Sequence, residues 1–264
     1  MPLASELRNK MRIGTSGYSF ADWQGPFYPA GLEKSQWLEY YSRFFNCVEV
    51  NSTYYRIPHP RVFSHMAEKT PPGFEFVVKV HQETTHARRE NATACKQLLE
   101  SVAALRECGK LSGFLAQFPY SFKNSQPSRG YLAATRQLLG DDPLFVEFRH
   151  SSWLQPEIEA FLRQQQIGYV CVDEPSLPGL LPPQRVVTTD TGYVRFHGRN
   201  AQNWWDTTQG NRYDYDYSSE ELTDWQERIA AILPEVKKLY LFFNNCHHGR
   251  APQNALQMRV ILNG

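Results

Sequence analysis

The chain is 264 residues long, 41% hydrophobic, 21% charged and 14% aromatic, and its 28 basic and 27 acidic side chains leave a formal net charge of +1. That balance excludes a protein that holds nucleic acid or an anionic membrane by bulk charge, so any polyanion must be met by a local basic pocket. No stretch approaches the roughly 18 apolar residues of a membrane span. The N-terminus carries no apolar run of signal-peptide length, so a cytoplasmic protein with no membrane partner is expected.

Residues 1–10 are expected to be an N-terminal extension. From residue 11 to 264, short β-rich runs alternate with longer amphipathic ones, the pattern of successive strand–helix units over a parallel sheet. Strands are predicted at 11–14, 47–51, 74–81, 114–118, 144–149, 167–173, 193–197 and 239–244. Between them, 33–45 carries Trp37, Leu38, Tyr41 and Phe45 on one helical stripe, and 91–107 carries Cys95, Leu98, Leu99, Val102 and Leu105. Asn91 and Ser128 stand where helix N-caps are expected. Ser218 and Glu221 have capping-box spacing, and the last helix is expected to begin near Pro252. Residues 174–183 hold four prolines and cannot form a regular helix. Residues 198–217, rich in Asn, Gln, Asp and aromatics, form a long loop placed to cover a barrel mouth. The predicted fold class is therefore α/β: a single (β/α)8 TIM-barrel-like domain over 11–264, with an irregular sixth crossover and a long loop after the seventh strand.

Residues two apart on a strand share a face. Glu49 with Asn51, Lys79 with His81, Glu147 with Arg149, and Arg195 with His197 therefore point together, while Val50, Val80, Phe148 and Phe196 point the other way. This places a polar ring inside the carboxyl end of the barrel, where such folds keep their ligand site. Gln117, Asp173 and Asn244 fit the same position on three further strands. Three acids and three bases in that ring, with three amides, point to an anionic, oxygen-rich ligand gripped by Arg149 and Arg195. The same groups read as a buried salt-bridge network are the structural alternative.

Glu49 and Glu147 are the acid/base candidates, with His86 and His197 as proton-transfer partners. The Gly14-Thr15-Ser16-Gly17 turn offers backbone N–H groups and Ser16 as an anion nest. His81, His86 and His197 could join Glu49, Glu147 and Asp173 in an N/O metal site, but no His-x-x-x-His or His-Glu-x-x-His spacing supports it, and no metal or cofactor is assigned. The five cysteines form no Cys-x-x-Cys pair. Aromatics crowd the loops, and the Trp204-Trp205 and Tyr213-Tyr215-Tyr217 cluster is a candidate base-stacking platform.

Ordered motifs along the chain carry a resemblance: Gly14-Thr15-Ser16-Gly17-Tyr18, Phe27-Tyr28-Pro29, Val48-Glu49-Val50-Asn51-Ser52-Thr53-Tyr54-Tyr55-Arg56, Thr85-His86, Gln117-Phe118-Pro119, Glu147-Phe148-Arg149-His150-Ser151-Ser152-Trp153, Val194-Arg195-Phe196-His197-Gly198 and Phe243-Asn244-Asn245. From about residue 11 to the C-terminus the chain resembles the YecE-like domain-of-unknown-function family. The resemblance implies a TIM-barrel-like fold and brings no established activity. Gln82 and Cys246 depart from the family's pattern, which usually has a basic residue at the first position and an acidic one at the second. The leading functional expectation is an enzyme, a hydrolase or lyase, acting on a phosphorylated or other anionic small molecule by acid/base chemistry at the strand C-termini. The alternative is a nucleic-acid-binding module, nuclease-like in its contacts, using basic and aromatic loop residues.

Overall fold

The computed structural model describes residues 5–206 and 211–263. Residues 1–4 of the expected extension, 207–210 of the long loop and residue 264 lie outside the described set. Eight strands are present: β1 (Met11–Thr15), β2 (Cys47–Val50), β3 (Glu75–Lys79), β4 (Leu111–Gln117), β5 (Leu144–Glu147), β6 (Ile167–Asp173), β7 (Thr191–Phe196) and β8 (Lys238–Phe243). They are all parallel, in the order β1-β8-β7-β6-β5-β4-β3-β2. A parallel bridge from Ser16 to Glu49 draws the two ends of the sheet together, so the barrel is nearly closed. The (β/α)8 architecture predicted from the alternation is the observed one. Valine and aromatic residues dominate these strands because both faces are buried, one by helices and one by the barrel interior.

The helices are α1 (Ser5–Asn9), α2 (Trp37–Tyr41), α3 (Pro60–Glu68), α4 (Asn91–Ser101), α5 (Ala103–Glu107), α6 (Gln126–Leu138), α7 (Pro156–Gln164), α8 (Ser219–Ile232) and α9 (Arg250–Asn263). Two expected helices are shorter or broken. The 33–45 stripe is buried as predicted but regular only over α2, after a 3₁₀ turn. The 91–107 run divides at Val102, whose backbone leaves helical values. Both expected N-caps move as well. Ser125 caps α6 by accepting from the Ser128 N–H, and Asn91 is the first helical residue, its amide donating to Thr135 Oγ1 at 3.0 Å to tie α4 to α6. The Ser218–Glu221 capping box forms as predicted. Between β6 and β7 the chain has no helix, as the prolines require. Among the described residues no helix is long and apolar enough to cross a membrane.

The interior is packed from the bottom up. Glu75, near the amino ends of the strands, accepts from Arg12 Nε at 2.8 Å, Lys238 Nζ at 2.9 Å, Ser112 Oγ at 3.2 Å and the Tyr240 hydroxyl. Above it the rings of Phe145, Tyr193, Tyr240 and Phe242 pack against one another. These groups fill the barrel interior toward its amino end, and a cleft opens at the carboxyl end. Gly14 is required where β1 meets β2, since a Cβ there would lie 2.5 Å from the Cys47 carbonyl oxygen.

Candidate active site at the barrel mouth

The polar–apolar alternation of the strands holds at their carboxyl ends. Val50, Val80, Phe148 and Phe196 are buried against the outer layer, with Phe148 stacked on Trp153 at 4.1 Å and Phe196 edge-on to Trp225 of α8 at 5.1 Å. The residues between them turn inward and meet. Arg195 donates from Nη1 to Glu147 Oε2 at 2.5 Å and from Nη2 to Glu49 Oε1 at 2.6 Å, and the Tyr193 hydroxyl takes the second oxygen of Glu49 at 2.6 Å.

Arg149 continues the network. Its Nη1 donates to Glu174 Oε2 at 2.9 Å, and its Nε lies 2.6 Å from Glu147 Oε1. The second contact is an ion pair by distance, but the N–H does not point along it, and neither atom has another hydrogen-bond partner. His197 stands 3.2 Å from Glu147 Oε2 and 3.1 Å from Arg149 Nη2, and its Nδ1 is 3.0 Å from Asn244 Nδ2. With the Asn244 amide donating, Nδ1 accepts and Nε2 carries the proton toward Glu147. Trp204 closes over this group, its ring 5.4 Å from the Arg149 guanidinium carbon.

The electrostatics follow from burial and pairing. Burial alone would raise the Glu147 pKa, but Arg149, Arg195 and His197 hold it well below the usual carboxylate range. Burial and the neighbouring Arg149 push His197 down to about 3, so it is neutral at pH 7. Burial raises Glu174 to about 7 despite Arg149. Two guanidiniums thus bridge three carboxylates, and both are occupied inside the protein.

Lys79 behaves differently. It ends β3, half-buried, with Nζ donating to Gln117 Oε1 at 2.8 Å and sitting 4.7 Å from the Tyr54 ring centroid. No described carboxylate comes within 4.0 Å of it. Burial, followed by the charge of Arg195, lowers its pKa to about 7. His86, on the π-helical turn Glu83–Ala87, is edge-on to Tyr54 at 5.1 Å and accepts or donates at Nδ1 with Thr85 Oγ1 at 2.9 Å. Burial and the charge of Lys79 hold it down at about 4.

A cleft of about 790 Å³ opens beside these groups. Ser16, Asn51, Lys79, Asn244 and the otherwise inaccessible Arg195 are part of its polar lining, with Asp22, Ser19, Ser52 and His247, and Tyr18, Phe20, Tyr54, Tyr55 and Tyr213 form aromatic walls. The volume suits a small molecule. Asn51 Oδ1 is buried here with no partner, and Ser16 Oγ lies 3.5 Å from Arg195 Nη2.

Several sequence expectations need correction. Asp173 does not face inward: it is paired in register with Phe196 and shares its outward face. There it accepts from Arg199, the Tyr217 hydroxyl at 2.7 Å and Trp225 Nε1 at 2.6 Å, tying the long loop and α8 to the barrel. The inward acid of β6 is Glu174, one residue on. The Ile167–Asp173 strand is buried along its whole length, so polarity gave no phase by which to find it. The Gly14–Gly17 turn is not an anion nest, because Thr15 N–H donates to Tyr41 and Ser16 N–H to Phe243 O. His81 turns away to accept from the Glu83 N–H.

Trp204 and Tyr217 are buried and engaged, so neither is free to stack on a base; Trp205, 53% exposed, is. Among the described residues no three His, Cys, Asp or Glu side chains are arranged to hold a metal ion. The remaining expected residues, Glu49, Asn51, Lys79, His86, Gln117, Glu147, Arg149, Arg195, His197, Asn244 and Ser16, do come together at the mouth.

Comparison with known proteins places the architecture in a family. The family described as "Protein of unknown function DUF72" matches residues 12–264. The UPF0759 protein YunF of Bacillus subtilis is 30% identical over 267 aligned residues, covering 95% of this chain and 94% of that one. The UPF0759 protein YecE of Escherichia coli K12 is 25% identical, with 82% of each chain covered. Among solved structures, a DUF72 family protein from Thermotoga maritima superposes with a TM-score of 0.89 at 43% identity, covering 96% of this chain and 99% of that one. A DUF72 family protein from Enterococcus faecalis superposes at 0.85 with 30% identity and 96% of each chain.

Proposed function

We propose that this chain, which belongs to the DUF72 family of proteins of unknown function, is an enzyme that acts on a phosphorylated or other anionic small molecule by acid/base chemistry in the cleft at the barrel mouth. One observation carries the reading: Lys79 and Asn51 present polar atoms without a charged partner or without any partner to a cleft of small-molecule size. Polar atoms buried in that state are costly unless something else satisfies them.

The roles shift from those the residue types alone indicated. Glu147 and Glu49 hold Arg195 in place, and Glu147 stays ionised throughout the physiological range. Lys79 supplies the cationic group not spent on a carboxylate, and Arg195 lines the cleft beside it. Lys79 is the group whose protonation changes near pH 7, and it is the proton-transfer residue of the proposal. Asn51 and Asn244 orient the ligand, and Tyr54 and Tyr213 wall off solvent.

The test is a thermal-shift panel of phosphorylated metabolites, carboxylates and short single-stranded oligonucleotides against wild type and Lys79→Met. A ligand at 100 times its Kd adds about 2.7 kcal/mol, hence roughly 5–11 °C in Tm. A small anion should produce such a shift in wild type and not in the variant. Shifts by oligonucleotides alone, falling steeply with salt, would transfer the site to nucleic-acid binding. A panel that moves neither protein would end the enzyme reading.

A further inference from the structure

We infer that Lys79 is a carbonyl-capturing nucleophile, so that the anionic small molecule of the proposed function also carries an aldehyde or ketone and reacts through an imine on Nζ. The inference rests on that reading of the cleft and adds the substrate's reactive group.

Contrast with other buried or half-buried lysines carries the argument. Lys110 spends its ammonium on the Ala67 and Thr70 carbonyls and the Thr70 hydroxyl, and Lys238 on Glu75. Lys110 thus has three oxygen acceptors and Lys238 a carboxylate. Lys79 has one neutral acceptor, Gln117 Oε1, and the face of Tyr54, and it opens onto the cleft. Here burial works against the ammonium first, and the charges of Arg195 and Arg149 that add to it are opposed by those of Glu147 and Glu49. What a neutral amine offers that a guanidinium cannot is a lone pair. At pH 7 roughly half of Lys79 is in that form, about a thousandfold more than an ordinary lysine.

The chemistry balances without a further reactant. The Nζ lone pair forms a C–N bond at the carbonyl carbon, and the π electrons move to oxygen, which takes one amine hydrogen to give a carbinolamine. The C–O bond then breaks, and the oxygen leaves as water with the second amine hydrogen, producing a neutral imine. One proton from solvent makes it an iminium, an electron sink for bond cleavage or proton transfer at the neighbouring carbon. Asn51, beside it, has an unpartnered buried carbonyl oxygen that suits a hydroxyl or water proton of the adduct.

The experiment treats full-length protein at pH 7 with pyruvate, glyceraldehyde 3-phosphate or acetaldehyde in the presence of cyanoborohydride, which reduces an imine to a stable secondary amine. Peptide mapping by mass spectrometry then locates the adduct. Lys79 should be labelled at least about tenfold faster than any other lysine by one of the two anionic probes. Acetaldehyde should label it more slowly, and inorganic phosphate or acetate should protect it according to which anion the cleft prefers. Lys79→Arg, with an unchanged melting profile, should lose that adduct. Labelling spread evenly over surface lysines, or absent from Lys79, overturns the inference. Thermal shifts with the same probes separate the two ideas: binding without Lys79 labelling removes the imine and leaves the anion site, whereas neither binding nor labelling removes both.

Discussion

Arg195 of β7 reaches across the barrel interior to Glu147 of β5, a strand two places away in the sheet, and meets it at 2.5 Å with neither side chain accessible to solvent. The same guanidinium holds Glu49 of β2 at 2.6 Å. One side chain therefore links three strands, which backbone hydrogen bonding alone would connect only through their neighbours.

Replacing Arg195 by Met should expose the cost of this arrangement. Glu49 would lose its cationic partner and Glu147 one of two, keeping Arg149, and removal of one partner from a buried pair costs about 3–5 kcal/mol. For a domain of this size that lowers Tm by roughly 6–20 °C. Thermal melts of the variant at pH 7 measure it. A Tm within about 2 °C of wild type would mean that the network does not stabilise the barrel.

Acid should destabilise the protein through His197 and Glu147. Burial and Arg149 hold His197 down at about 3, so below pH 6.5 the unfolded chain binds a proton that the folded one refuses. Its contribution is whole above 6.5 and is lost as pH falls toward 3. Glu147, held well below the usual carboxylate range, adds the same sign below about 4.5. Glu174, raised to about 7, works in the opposite direction between 4.5 and 7, because there the folded state binds the extra proton. Between pH 4.5 and 6.5 the His197 and Glu174 contributions oppose each other, so urea melts there should show His197→Gln gaining stability on acidification relative to wild type. Equal slopes would remove His197 as a source of acid sensitivity.

Trp204 and Trp205 are neighbours with opposite roles. Trp204 is 2% exposed and covers Arg149, whereas Trp205 is 53% exposed and touches Tyr120 edge-on. Trp204→Ala should cost about 3–5 kcal/mol in a denaturant titration, and Trp205→Ala roughly 0.5 kcal/mol. If instead Trp205→Ala abolished oligonucleotide binding while Trp204→Ala melted normally, the pair would be a stacking platform and not a cover.

The parallel between residue pattern and site is clearest on β2, β5 and β7. Val-Glu-Val-Asn, Glu-Phe-Arg and Arg-Phe-His alternate polar with apolar, so each strand announces which side chains turn inward. On β6 that signal is missing, because Ile167–Asp173 is buried on both faces and the inward acid, Glu174, follows the strand's end. Residue type alone therefore points to Asp173, one residue before the acid that turns inward. The Thr15 and Ser16 amides look free in a glycine turn, but their acceptors, Tyr41 and Phe243, come from distant parts of the chain.

What the sequence determined by itself was the barrel and the composition of its mouth, because strand–helix alternation and period-two polarity are local properties written in consecutive residues. Tertiary structure alone decided the partnership of each charge. Whether Arg195 grips two carboxylates or a ligand, and whether Lys79 keeps its proton, depends on distances between residues separated by up to 146 positions in the chain and on the exclusion of water around them. Pairing and desolvation act through space, and no local pattern encodes either.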